Sequence, residues 1–180
     1  MQRFFLLTIL LLGLNLTLWG QEWKDRLSLP DYFPVPTQTN KSLFFIQRNK
    51  NVRTIVYDLN LREDGTLDRK NPIEFYWLEG DGERKELSWL ESWLAYGYKA
   101  KKKAENLFHI KLRAHDSRYI ILKEENEKWR VIMPINGEES YLTNIYAYAD
   151  ESGIFPDVKH VDIFGVDIKT GRKVKERIFD

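Results

Sequence analysis

The feature that most constrains this chain is a rhythm: from Leu43 onward, short runs of β-branched and aromatic residues recur with turn residues between them. Runs of that length, spaced about eight to twelve residues apart, build antiparallel sandwiches and barrels rather than helical bundles. They fall at residues 43–48, 54–59, 73–78, 96–101, 107–114, 118–122, 129–135, 141–148, 161–168 and 173–178. Asn136-Gly137 is the strongest hairpin signal, because both central residues of a type I′ turn need positive φ. Lys169 to Arg172 makes a second turn. Phe108, Ile110, Leu112 and Ala114 alternate with His109, Lys111 and Arg113, which gives that strand one dry face and one wet face. The expectation is a mainly β fold, a single antiparallel meander forming a β-barrel or β-sandwich.

One segment breaks the rhythm. Ser88-Trp89-Leu90-Glu91 carries the Ser-x-x-Glu pattern of a capping box, in which the serine hydroxyl takes an N3 amide and the glutamate reaches back. A short helix is predicted near residues 89–96, stopped by Gly97. Leu87, Leu90 and Leu94 share one face with Trp89 and Trp93 beside them, so the helix should plug an end of the sheet or lie across its open side.

Composition narrows the class. The 180 residues contain no cysteine, which removes disulfide scaffolds, zinc-thiolate sites and thiol chemistry. Residues 1–20 hold a single charge, Arg3, ahead of the apolar run Phe4 to Leu12, the layout of a secretory signal peptide with cleavage after Gly20. Leu18 is large for the position three before the cut, so an uncleaved anchor is the alternative. Removing 1–20 takes away Arg3 and no acid, and 28 basic and 27 acidic residues become 27 of each. A neutral chain argues against nucleic acid as partner. Lys99, Lys101, Lys102 and Lys103 form a local basic run, read as a solvated strand end rather than a phosphate or anionic-membrane contact. No later apolar run is long enough to span a membrane. Residues 21–42 carry Pro30, Pro34 and Pro36 and read as an extended leader before one β-rich domain, 43–180.

Reactive motifs are scarce. His109, His115 and His160 lie on three different predicted elements, and none has a second His or Cys within four positions. His160 and Asp162 fall on one strand face, and with His115 and Asp116 they are the acid–base material an enzyme would have to use. There is no Gly-x-Ser-x-Gly elbow. The acidic loop 58–68 fails as a calcium loop because Arg62 stands where an oxygen ligand is needed. Nothing calls for a cofactor or a metal.

The unusual feature is aromatic density. Arg48, Tyr57, Tyr76, Trp77, Trp93, Tyr96 and Tyr98 are the candidate ligand-binding residues, since apolar rings with polar tips line small-molecule pockets. The segments Ser42 to Asn51, Val56-Tyr57-Asp58, Asn71-Pro72-Ile73 with Tyr76-Trp77, Ala95-Tyr96-Gly97, and the closing Gly165, Asp167, Thr170-Gly171 and Glu176-Arg177-Ile178 resemble an exported bacterial family known only as a domain of unknown function. The resemblance implies one domain in the bacterial envelope, periplasmic or extracellular, and supplies no activity. The expected function is non-enzymatic: binding of a small ligand or an envelope protein through an aromatic-lined surface. The alternatives are a hydrolase-like enzyme with a dispersed His/Asp site and a structural subunit of an envelope assembly.

Overall fold

A computed structural model describes residues 33–49, 51–113, 118–150 and 157–179. Eleven strands appear among these residues: β1 (Ser42–Arg48), β2 (Asn51–Leu59), β3 (Ile73–Leu78), β4 (Arg84–Lys85), β5 (Tyr98–Ala104), β6 (Leu107–Leu112), β7 (Ile120–Glu125), β8 (Lys128–Ile135), β9 (Glu138–Asp150), β10 (Asp157–Asp167) and β11 (Lys173–Phe179). The fold is mainly β with one short helix, as the run spacing predicts. Asn136 and Gly137 take φ of 51° and 81°, the left-handed pair that a type I′ turn between β8 and β9 requires.

The spine is β9. Strand β10 pairs along it from Asp157↔Asp150 to Asp167↔Ser140 and takes one edge. The other edge is shared: β8 pairs with its first part, Ile132↔Tyr141 to Ile135↔Glu138, and β1 with its later part, Phe45↔Asn144 to Arg48↔Ala147. The β1–β9 pair is parallel and departs from a simple meander. Two arms therefore leave one edge of β9, β1-β2-β3-β4 and β8-β7-β6-β5, while β10 and β11 form a hairpin on the far edge.

The arms curl toward each other because each has one apolar face. Phe44, Ile55, Tyr57, Leu59, Ile73 and Trp77 come from the first, and Phe108, Ile110, Leu112, Leu122, Val131, Met133 and Ile135 from the second, with Leu142 and Ile163 joining from the spine. A bulge between Ser42 and Phe44 lets Leu43 and Phe44 both enter this core, against strict alternation. The opposite face of the first arm is also dry at Phe45, Val56, Thr54 and Gln47. There the Pro34 carbonyl accepts hydrogen bonds from Gln47 Nε2 (3.3 Å) and Thr54 Oγ1 (2.5 Å), and the Phe33 ring meets Tyr146 edge-on.

The capping box forms as the sequence indicates: Ser88 Oγ accepts from Glu91 N (3.3 Å), and Glu91 Oε2 accepts from Ser88 N (2.9 Å). The helix differs from expectation. Helix α1 (Trp89–Glu91) is a single turn that widens into a π-helical turn, Ser92–Tyr96, closed by Gly97 N donating to Ser92 O. Consequently β5 starts at Tyr98 and not at Tyr96. Trp89 is 78% exposed and Leu90 46%, so the expected buried leucine face is not built at Leu90. A turn this short cannot hold a 3.6-residue stripe against the core.

Candidate functional site

The two arms end at β3 and β5, and no backbone ladder joins them. Beyond the pairing of β4 with Trp77 and Leu78, the outer edge of β3 has no strand neighbour among the described residues, and neither has the outer edge of β5. Side chains close this seam. Tyr98 OH accepts from Ile73 N (3.0 Å) and donates to Ile73 O (2.7 Å), standing in for one rung of the missing ladder. Burial pushes the Tyr98 hydroxyl up to about 12, which keeps it protonated and able to donate. Arg69 pairs with Glu105 (2.7 Å) at one end of the seam, and Trp77 packs edge-on against Tyr96 (centroids 5.3 Å apart) beneath it.

Between these closures lies a groove of about 410 Å3. Ile73, Phe75, Tyr98 and the exposed ring of Trp89 supply apolar surface, while Asn71, Ser92, Lys70 and Arg113 bring polar and cationic groups to it. The volume falls within the range of small-molecule sites, and an apolar wall with a few polar groups is their usual make-up.

The seven sequence candidates separate. Tyr98 lines the groove. Tyr57, Trp77 and Tyr96 form the layer beneath it: Tyr57 is fully buried, stacks on Phe44 (4.4 Å, 7°) and Phe75 (5.8 Å), and donates its hydroxyl to Tyr96 O (2.7 Å). Tyr76 points to the other face of β3, where its hydroxyl donates to Asp58 (3.0 Å) under the Arg84 guanidinium. Arg48 ends β1 opposite Asn51 and Ala147 and does not line the groove. Trp93 belongs to the π-helical turn, and its side chain lies outside the described residues. Sequence reasoning missed Phe75 as a site residue. The signal for Phe75 was present, since alternation cannot put both Tyr76 and Trp77 on one wall.

His160 and Asp162 do not form an acid–base pair. His160 and Asp162 do share a face of β10, but the Asp162 carboxylate is taken by Arg177 Nε (2.6 Å), Arg177 Nη2 (2.7 Å) and Lys175 Nζ (3.0 Å). His160 stacks on Tyr148 (5.0 Å, 10°) with Phe179 beside it. His115 and Asp116 lie outside the described residues. Among the described residues, no three His, Asp or Glu side chains cluster in a way that could hold a metal ion.

Asp162 instead sets an acid limit to stability. Its hydrogen bonds from Arg177 are the main cause that holds the carboxyl at about 2, below its ordinary value near 4. The native state thus binds fewer protons than the unfolded chain. The contribution is complete above about pH 5 and is lost as pH falls toward 2, amounting to ~2 kcal/mol. Urea unfolding at pH 7 and pH 2 should show Asp162→Asn destabilised at pH 7 and little different from wild type at pH 2. An equal deficit at both pH values would contradict this ion pair.

A protein-family model described as a domain of unknown function, DUF4833, matches residues 44–177. No curated protein matches the chain, and no solved structure does.

Proposed function

We propose, from the premise that the chain belongs to the DUF4833 family of domains of unknown function, that it is a non-catalytic binding domain whose site is the seam between β3 and β5. The carrying observation is the groove of about 410 Å3 where the two arms fail to pair, with Trp89 78% exposed at its edge. A large ring left in water beside apolar walls is surface that a ligand could cover. Lys70 and Arg113 favour a ligand with a flat apolar body and a polar or anionic substituent. The apolar run 4–12 supports export as the setting in which such a ligand would be met.

An anilinonaphthalene sulfonate dye, apolar rings carrying one anion, is the probe. We expect saturable fluorescence enhancement with wild type and at least a tenfold loss of affinity in Trp89→Ala. That ring is exposed, so its removal should leave stability within ~0.5 kcal/mol. Native mass spectrometry of protein purified gently from its own cells supplies the second readout, with added non-covalent mass expected in wild type and missing in the variant. Dye affinity equal in both proteins, or retained mass unaffected by the substitution, would overturn the seam as the site.

A further inference from the structure

The outer face of β5 and β6 carries cations that the rest of the surface does not explain. Several other surface arginines and lysines meet carboxylates: Arg53 with Glu79 (2.9 Å), Arg84 with Glu74 (3.1 Å), Arg118 with Glu176 (2.7 Å) and Lys123 with Glu125 (2.8 Å). Lys99, Lys101 and Lys103 have no carboxylate partner among the described residues. They alternate with Ala100 and Lys102 along β5 and so project from one face, about 7 Å apart. Lys102, on the other face, is the member of the run that finds an acid, Glu105. Register places Lys99 directly across from Lys111 and Lys101 directly across from His109. The Lys99–Lys111 pair sets like charges opposite each other, which opposes the sheet.

This face is concave. Lys99, Lys101, Lys103, His109, Lys111 and Tyr119 line a depression of about 260 Å3. Tyr119, 58% exposed, is its aromatic member, with its ring 5.6 Å from that of His109 and 5.7 Å from the Lys111 ammonium. A row of cations around a shallow basin suits a compact anion of several charges, since each added ammonium lowers its energy and Lys99, Lys101 and Lys103 gain the anionic partner that the described residues do not give them.

We propose that this basin is a second binding site, separate from the seam, for a phosphoryl anion bearing two or more negative charges. Inorganic pyrophosphate tests a free source of that chemistry, and vesicles of 30% phosphatidic acid in phosphatidylcholine, a composition chosen for the assay at about the charge of an anionic leaflet, test a lipid-borne one. The variant is Lys99→Gln/Lys101→Gln, with Lys85→Gln as a control on a lysine that already has acidic partners.

Saturable pyrophosphate binding by calorimetry, weakened at least tenfold in the double variant, unchanged in the control and reduced by added salt, is the expected result. Sedimentation with the acidic vesicles alone, showing the same dependence on Lys99 and Lys101, would support the site with lipid as the source. The double variant should also melt no lower than wild type, because it relieves repulsion, so lost binding cannot be put down to unfolding. Failure to bind either probe, or binding that the double variant leaves intact, would overturn the proposal. The dye experiment on Trp89→Ala reads the seam independently, so either site can fail alone.

Discussion

Replacing Tyr57 with alanine is expected to cost about 3–5 kcal/mol of stability, the range for emptying a large aromatic from a packed core. Tyr57 is fully buried, its ring lies between Phe44 and Phe75, and its hydroxyl donates to Tyr96 O at 2.7 Å. One side chain thus ties β1, β2 and β3 to the turn that leads into β5. With typical domain stabilities of about 5–15 kcal/mol, the variant should sit near the limit of folding. Tyr57→Phe separates the two parts: it keeps the ring stack, leaves the Tyr96 carbonyl without this donor, and should cost ~1–2 kcal/mol. Urea denaturation of both variants measures the difference. A cost below ~1 kcal/mol for the alanine variant would mean that the aromatic layer under the seam is not packed as described.

Gly165→Ala should be strongly destabilising for so small a substitution. A Cβ at this position would stand 2.5 Å from Ile135 Cδ1 and 2.6 Å from the backbone oxygen of Tyr141. The first contact ends a flexible side chain and can yield, but the second is backbone in the spine strand and cannot move without disturbing its pairing. Overpacking of this kind costs ~1–3 kcal/mol, and the backbone clash puts Gly165→Ala at the upper end. Ile135→Val in the same chain removes the yielding contact alone, so the double variant should recover only part of the loss. Thermal melts of the single and double variants check this, and full recovery in the double variant would contradict the backbone clash.

Much of the fold was legible because its signals are local. Alternation in Phe108, Ile110 and Leu112 set which face of β6 is dry, and all three are buried. Asn136-Gly137 announced its turn through backbone sterics, and Ser88 with Glu91 announced the helix start through hydrogen bonds three residues apart. Less of the site could be read. Tyr57 and Tyr76 look equivalent as aromatics on predicted strands, yet one is sealed in the core and the other sits outside against Asp58 and Arg84. His160 and Asp162 share a face as expected, but the carboxylate's partners, Arg177 and Lys175, come from the neighbouring strand through the β10–β11 register.

The residues alone established that this chain makes short strands, where the clearest turns fall, which side of β6 is apolar, and that no thiol chemistry is available. Those follow from a side-chain period of two and from backbone sterics, which act within a few residues. Only the tertiary structure decided that β1 lies parallel to β9, that two arms leave one edge of that strand, and that β3 and β5 end without pairing, so that Phe75, Tyr98 and Trp89 border an open groove. Which edges meet depends on burying both arms' apolar faces at once, a requirement shared by residues about a hundred positions apart, such as Phe45 and Asn144.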